Sequence, residues 1–223
     1  MAERFTERLR RKVAPIWNAQ FEHPFVRGIG EGTLDLDRFK FWVRQDYLFL
    51  IEYARLLALA AARSPELDTM SRFAGLLNET LSTEMNLHRA YAAEFGISKA
   101  ELEHEAAAPT TRAYTDFLVR VAVTGDYAEL LAALLPCMWG FSDVGQRLAK
   151  LKPPADERYA RWIAIYSSAE FADLAHWCRE LLDEVAAALP ERAWQNLEEV
   201  FLTSSRYEFQ FWEMAWKLEQ WPV

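Results

Sequence analysis

The chain has 223 residues, 52% of them hydrophobic and 14% aromatic, which excludes disorder as its main state and suffices for a large core. A formal charge of −8 disfavours nucleic acid as a partner, and no apolar run reaches the roughly 20 residues of a membrane span. Only 8 Gly and 9 Pro punctuate the chain, so long elements are expected rather than the many turns of a sandwich or barrel.

Helical periodicity runs through the sequence. Phe5, Leu9, Val13 and Ile16/Trp17 mark a first amphipathic helix, ended by His23-Pro24-Phe25. Gly28, Gly30 and Gly32 read as a loop. A long helix over about 37–63 places Phe39, Trp42/Val43, Phe49/Leu50, Tyr53, Leu56/Leu57 and Ala60 on one stripe. The next spans about 67–95, with Phe73, Leu77, Leu81, Leu87 and Tyr91 facing inward and Gly96 as its C-cap.

A short acidic segment, 98–108, precedes a helix opened by Thr110/Thr111. Gly125-Asp126 turns the chain into a helix over 127–150, which Pro136 should kink. After Pro153-Pro154 come helices over about 156–168 and 170–189, and after Pro190 a last one to about Trp216. No repeat or linker interrupts this order. The expectation is a single all-α domain over 1–223, a bundle of seven or eight helices.

Two Cys, 137 and 178, do not make a disulfide scaffold, and the polar start Met1-Ala2-Glu3-Arg4-Phe5 is not a signal peptide. A cytoplasmic setting is expected.

Ionisable groups on apolar stripes need a reason, because burying a charge is expensive unless it is paired. Asp46 has apolar neighbours one turn away on both sides. It is either a structural buried carboxylate or a site residue. Glu208 lies on the stripe Trp194, Leu197, Phe201, Ser204/Ser205, Glu208, Phe211/Trp212, Ala215. Enclosed by aromatics, it should have a raised pKa, which suits proton transfer near neutral pH. A structural ion pair is the other use of such a group. Cys137 follows Pro136, and the flanking Trp139 and Phe141 are flat groups that could sandwich a ring. Cys178 reads as packing. Tyr114 and Tyr166 also fall on apolar stripes.

Glu84 and His88 face the same way four residues apart. With Asp173 and His176 they could form a metal site for an oxidase, although Glu-x-x-x-His departs from the Glu-x-x-His spacing of di-iron bundles. A hydrogen bond within the Glu84–His88 pair is the alternative. Glu101-Leu102-Glu103-His104 matches the spacing but lies in an acidic, poorly apolar segment.

Several strings in order resemble the TenA/THI-4 family of thiaminase II proteins. They are His23-Pro24-Phe25, Gly32-Thr33-Leu34 with Phe39 and Gln45-Asp46, Leu135-Pro136-Cys137, Tyr166-Ser167-Ser168-Ala169-Glu170-Phe171, and Glu208-Phe209-Gln210-Phe211-Trp212. They extend from about residue 5 to residue 216. The resemblance implies a haem-oxygenase-like all-α fold and an aminopyrimidine hydrolase. It implies Cys137 as nucleophile, Glu208 as the acid that protonates a ring nitrogen, and Asp46 as the carboxylate that receives the exocyclic amino group and the adjacent ring nitrogen. Tyr114 and Tyr166 would position the ring and the nucleophile, and Phe211 would form a wall. Phe49 and Phe141 stand where many members carry Tyr, which keeps stacking and removes two hydroxyls. No metal or organic cofactor is implied, and a homotetramer is. A pyrimidine-binding or regulatory protein without turnover is the non-enzymatic alternative.

Overall fold

The computed structural model describes residues 3–223. In chain order its helices are α1 (Phe5–Lys12), α2 (Ala14–Glu22), α3 (Pro24–Glu31), α4 (Leu36–Arg63), α5 (Leu67–Glu79), a π turn (Thr80–Glu84), α6 (Met85–Glu94), α7 (Lys99–Glu103), α8 (Pro109–Thr124), α9 (Tyr127–Leu148), α10 (Glu157–Tyr166), α11 (Ala169–Ala187) and α12 (Glu191–Lys217). Among the described residues there is no strand, so the fold is all-α. The segments outnumber the seven or eight expected for identifiable reasons.

The first expected helix is divided at Val13, whose backbone (φ −97°, ψ 6°) departs from helical geometry. Pro15 follows, and it has no N–H with which to continue the ladder. His23-Pro24-Phe25 ends α2 and at once begins α3. His23 Nδ1 accepts the Phe25 N–H, and Pro24 takes the first helical position, where no N–H is needed. The expected glycine loop is therefore largely helix. Gly28 lies inside it because a β-carbon there would stand 3.0 Å from Leu34. Only Gly32, at φ +72°, takes left-handed backbone and ends α3.

The expected helix over 67–95 is interrupted by the π turn. Buried positions run Phe73, Leu76, Thr80, Met85, His88, Tyr91, so the spacing widens to five across the turn. The extra residue rotates the following face by about 100°. Leu81, expected on the inward stripe, is consequently 50% exposed. Gly96 does cap α6: at φ +73° it lets Ile97 N–H reach the Ala92 carbonyl while its own N–H reaches Ala93. Within 98–108, Ser98 and Glu101 form a reciprocal capping box for the short α7.

Contacts divide the chain into two compact units. One comprises the N-terminal residues to Leu34 together with Leu131–Glu213, the other Asp35–Leu130 with Met214–Val223. In the second unit α4 is central, and α5, α6 and α8 pack on it. Its whole expected stripe from Phe39 to Ala60 is buried. In the first unit α1 packs on α11, and α10 on α3 and α11. Two indole donors tie α2 to α12: Trp17 Nε1 to Ser205 Oγ (3.2 Å) and Trp212 Nε1 to Gln20 Oε1 (3.1 Å). Asp183 of α11 caps α1, accepting the Thr6 N–H at 2.7 Å and the Thr6 hydroxyl at 3.0 Å.

Candidate active site

The second unit carries Asp46, Phe49 and Tyr114. Asp46 is 4% exposed on the α4 stripe. Its Oδ2 lies 2.7 Å from His88 Nε2, and His88 Nδ1 lies 3.0 Å from the Glu84 carbonyl oxygen. The Trp42 ring leans on the imidazole at 5.6 Å between centroids. Burial by itself would lower the pKa of His88. The hydrogen bond and charge of Asp46 outweigh burial, with help from Glu84, so the imidazole is held above its ordinary value.

Gln45, next to Asp46, is buried and aligns α8. Its Nε2 donates to Ala106 O at 3.1 Å, and its Oε1 accepts from Ala108 N–H at 2.9 Å and Thr111 Oγ at 2.8 Å. One turn after Thr111 comes Tyr114, whose ring meets that of Phe49 at 5.1 Å. Phe49 also stacks on Tyr53 at 5.4 Å. A carboxylate and an aromatic pair thus sit one helical turn apart on α4.

The first unit carries Cys137, Phe141, Tyr166, Glu208 and Phe211. Pro136 lies inside α9. Its ring removes a ladder bond and crowds the preceding turn. The Ala133 carbonyl in that turn accepts the Ser204 hydroxyl of α12 at 2.8 Å. Cys137 is half-buried whereas Cys178 is 2% exposed, and neither is in a disulfide. Cys137 is thus the more accessible of the two thiols, and Cys178 is packed in the interior.

Phe141, one turn beyond Cys137, is the centre of a ring cluster. Tyr166 lies at 5.0 Å, Trp212 at 5.1 Å and Trp162 at 6.1 Å from it. Trp162 and Tyr166 approach to 4.6 Å. Glu208 is 3% exposed, with Ser204/Ser205 one turn before it on α12 and Phe211/Trp212 one turn after, all buried. The sequence stripe therefore placed Glu208 correctly, on the buried face of α12.

Three expectations change. Trp139 does not join Phe141 in sandwiching a ring. It packs edge-on against Trp17 at 5.0 Å, and the Arg179 guanidinium covers its face at 4.0 Å. His88 bonds the main-chain carbonyl of Glu84, not its carboxylate, and turns its other nitrogen to Asp46. The metal site proposed from Glu84, His88, Asp173 and His176 does not assemble. Among the described residues no group of three or more His, Cys, Asp and Glu side chains is arranged to hold a metal ion. His176 is exposed and pairs with Glu180 at 3.2 Å on its own helix.

Sequence reasoning did not single out Gln45, Trp162 or Trp212 as site-supporting residues. Trp212 was visible on the Glu208 stripe, and Trp162 lies one turn before Tyr166. Gln45 was seen only as part of the Gln45-Asp46 string, because its partners Ala106, Ala108 and Thr111 are distant in sequence.

Residues 10–218 match the model of the TENA/THI-4/PQQC family, and the chain belongs to that family. It is 46% identical over 218 residues, covering 97% of both chains, to a Halalkalibacterium halodurans protein named aminopyrimidine aminohydrolase. Among solved structures it resembles the TenA homologue of P. horikoshii OT3, with a TM-score of 0.89 and 30% identity over 96% of this chain and 99% of that one. A Shewanella denitrificans domain with a haem-oxygenase-like fold superposes with a TM-score of 0.71 at 18% identity, over 96% of this chain and 92% of the other, which speaks to the fold alone.

Proposed function

We propose that this protein is an aminopyrimidine hydrolase of thiamin salvage. The observation that carries the proposal is the 46% identity, across 97% of both chains, to a protein named for that activity. The substrate is 4-amino-5-aminomethyl-2-methylpyrimidine. Water replaces its side-arm amine to give 4-amino-5-hydroxymethyl-2-methylpyrimidine and ammonia. Thiamin would give the same pyrimidine with release of its thiazole.

The roles follow the chemistry of each group. Asp46 accepts the exocyclic amino group. Glu208 gives its proton to a ring nitrogen, which makes the ring electrophilic. The Cys137 thiolate then adds to a ring carbon. The electron pair placed on the ring expels the side arm, present as its ammonium, as ammonia when its C–N bond breaks. Water adds to the resulting methylene and releases a proton, the C–S bond breaks to restore the thiolate and the aromatic ring, and Glu208 recovers its proton. Phe49, Tyr114, Phe141, Tyr166 and Phe211 supply the flat apolar surfaces that an aminopyrimidine ring needs. The half-buried Cys137 thiol and the burial of Glu208, one turn before Phe211 and Trp212 on α12, support these assignments.

We further propose a cytoplasmic homotetramer. Leu67, Met70 and Leu81 are exposed along α5 and the π turn, and such a stripe suits burial against another copy. No helix among the described residues is long and apolar enough to cross a membrane.

The deciding experiment incubates the full chain separately with the aminomethyl pyrimidine and with thiamin. Ammonia or thiazole and the hydroxymethyl product are then measured. Stoichiometric ammonia and product from the aminomethyl compound are expected. Tight binding with no product from either compound contradicts a hydrolase and leaves a pyrimidine-binding protein.

A further inference from the structure

The His88 imidazole lies between two oxygens. Nδ1 is 3.0 Å from the Glu84 carbonyl, and Nε2 is 2.7 Å from Asp46 Oδ2. A carbonyl only accepts, so Nδ1 carries a proton. Where the carboxylate is ionised it too only accepts, and Nε2 then carries a proton as well. Both side chains are nearly dry, at 1% and 5% exposed. The Asp46 hydrogen bond goes through Oδ2 alone, and among the described residues no other group bonds to this carboxylate. Oδ1 is left to meet a ligand. The π turn fixes this pairing, because the wider turn ending at Glu84 brings His88 onto the buried face.

We propose that His88 is a specificity-determining positioning residue. As an imidazolium it holds Asp46 ionised through Oδ2, so that Oδ1 accepts a ring amino group and rejects a ring carbonyl. The proposal rests on the aminopyrimidine activity proposed above and adds the group that sets its selectivity. A charged acceptor facing a 4-amino group makes a strong hydrogen bond. The same acceptor facing a 4-oxo group meets lone pairs and leaves both buried and unsatisfied. Without the imidazolium, Asp46 has no counter-charge in a buried site. The donor that fixes Oδ2 is then lost, and the discrimination between a donating and an accepting ring substituent weakens. The raised pKa of His88 agrees with an imidazolium at neutral pH.

Two measurements test this. The first is the 15N NMR spectrum of ring-labelled histidine in the ligand-free protein. Both His88 nitrogens should report protonation at neutral pH, and a neutral tautomer overturns the proposal. The second is calorimetric binding of 4-amino-5-hydroxymethyl-2-methylpyrimidine and its 4-oxo counterpart to wild type and His88→Asn. Wild type should prefer the amino compound by about 100-fold or more. That preference should fall at least about tenfold in the variant. Equal weakening of both compounds shows a merely structural role and overturns the proposal. Should His88→Asn fail to fold, Asp46→Asn serves instead: the preference should collapse and the His88 ring should become neutral, and an imidazolium that persists there overturns the pairing. Wild-type protein that binds neither compound overturns the aminopyrimidine activity and the selectivity role with it. The ring nitrogens still report on the Asp46–His88 pair by themselves.

Discussion

The backbones of Gly145 and Tyr166 approach so closely that a β-carbon on Gly145 would lie 2.5 Å from the Tyr166 carbonyl oxygen and 2.8 Å from Ser167 N. The obstacle is main chain at the end of α10, so no rotamer change relieves it. This contact seats Tyr166 against Phe141, one turn before Gly145 on α9, with rings 5.0 Å apart.

Gly145→Ala should therefore force α9 and α10 apart. A cost of about 1–3 kcal/mol is expected, as for other overpacked interiors. The proposed hydrolase rate should fall as well, because Tyr166 moves. Thermal unfolding and turnover check this together. An unchanged midpoint would show that the close approach is easily relaxed.

Ser204→Ala removes the hydroxyl that donates to the Ala133 carbonyl at 2.8 Å, in the turn that Pro136 disturbs. Ser204 is fully buried, so no water replaces the donor without rearrangement. The expected loss is about 1 kcal/mol of stability. Because Cys137 is carried on the same turn, a fall of roughly tenfold in kcat is also expected from misplacement of the thiol. Chemical denaturation and single-turnover kinetics separate the two effects. A variant losing stability alone would show that the hydroxyl has no part in placing Cys137.

Glu198 gives a pH-dependent prediction. It accepts from Arg8 Nε and Lys12 Nζ, each at 2.6 Å, which fastens α1 to α12. Burial would raise its pKa, but the two cations and their hydrogen bonds prevail and hold the carboxyl below its ordinary 4.5. A depressed folded-state pKa means stability that is present above the unfolded value and lost as pH falls through the folded one. Arg8 and Lys12 are each 37% exposed, so solvent screens the pair and limits its contribution to about 1 kcal/mol. Glu198→Gln should thus be less stable than wild type at neutral pH, and the gap should close below about pH 4.5. Unfolding midpoints measured across that range test the sign. A gap that widens in acid contradicts it.

The regular helices were legible because their apolar stripes are long and unbroken. In α4, every stripe position from Phe39 to Ala60 is buried, with Asp46 among them. In α12 the stripe correctly buried Glu208. What escaped was structure set by partners distant in sequence. Gly28 and Gly30 look like a loop by propensity, yet they lie in α3. A β-carbon at Gly28 would crowd Leu34 and one at Gly30 would crowd Leu148, so tertiary packing selects them. The π turn has no signature in a 3.6-residue period, so Leu81 was placed inside, whereas the buried position is Thr80. His88 was seen as out of place, but spacing within one helix offered only Glu84 as its partner. Its true partner, Asp46, lies 42 residues away on α4.

The central claim is that Cys137 is the nucleophile of an aminopyrimidine hydrolase. Its most direct test is ammonia release from 4-amino-5-aminomethyl-2-methylpyrimidine by Cys137→Ala. The side chain is small and half-buried, so the variant should keep its fold and circular dichroism. Ammonia release should fall by about a thousandfold or more, as when other enzymes lose their nucleophile. Turnover close to wild type in the folded variant would contradict the mechanism.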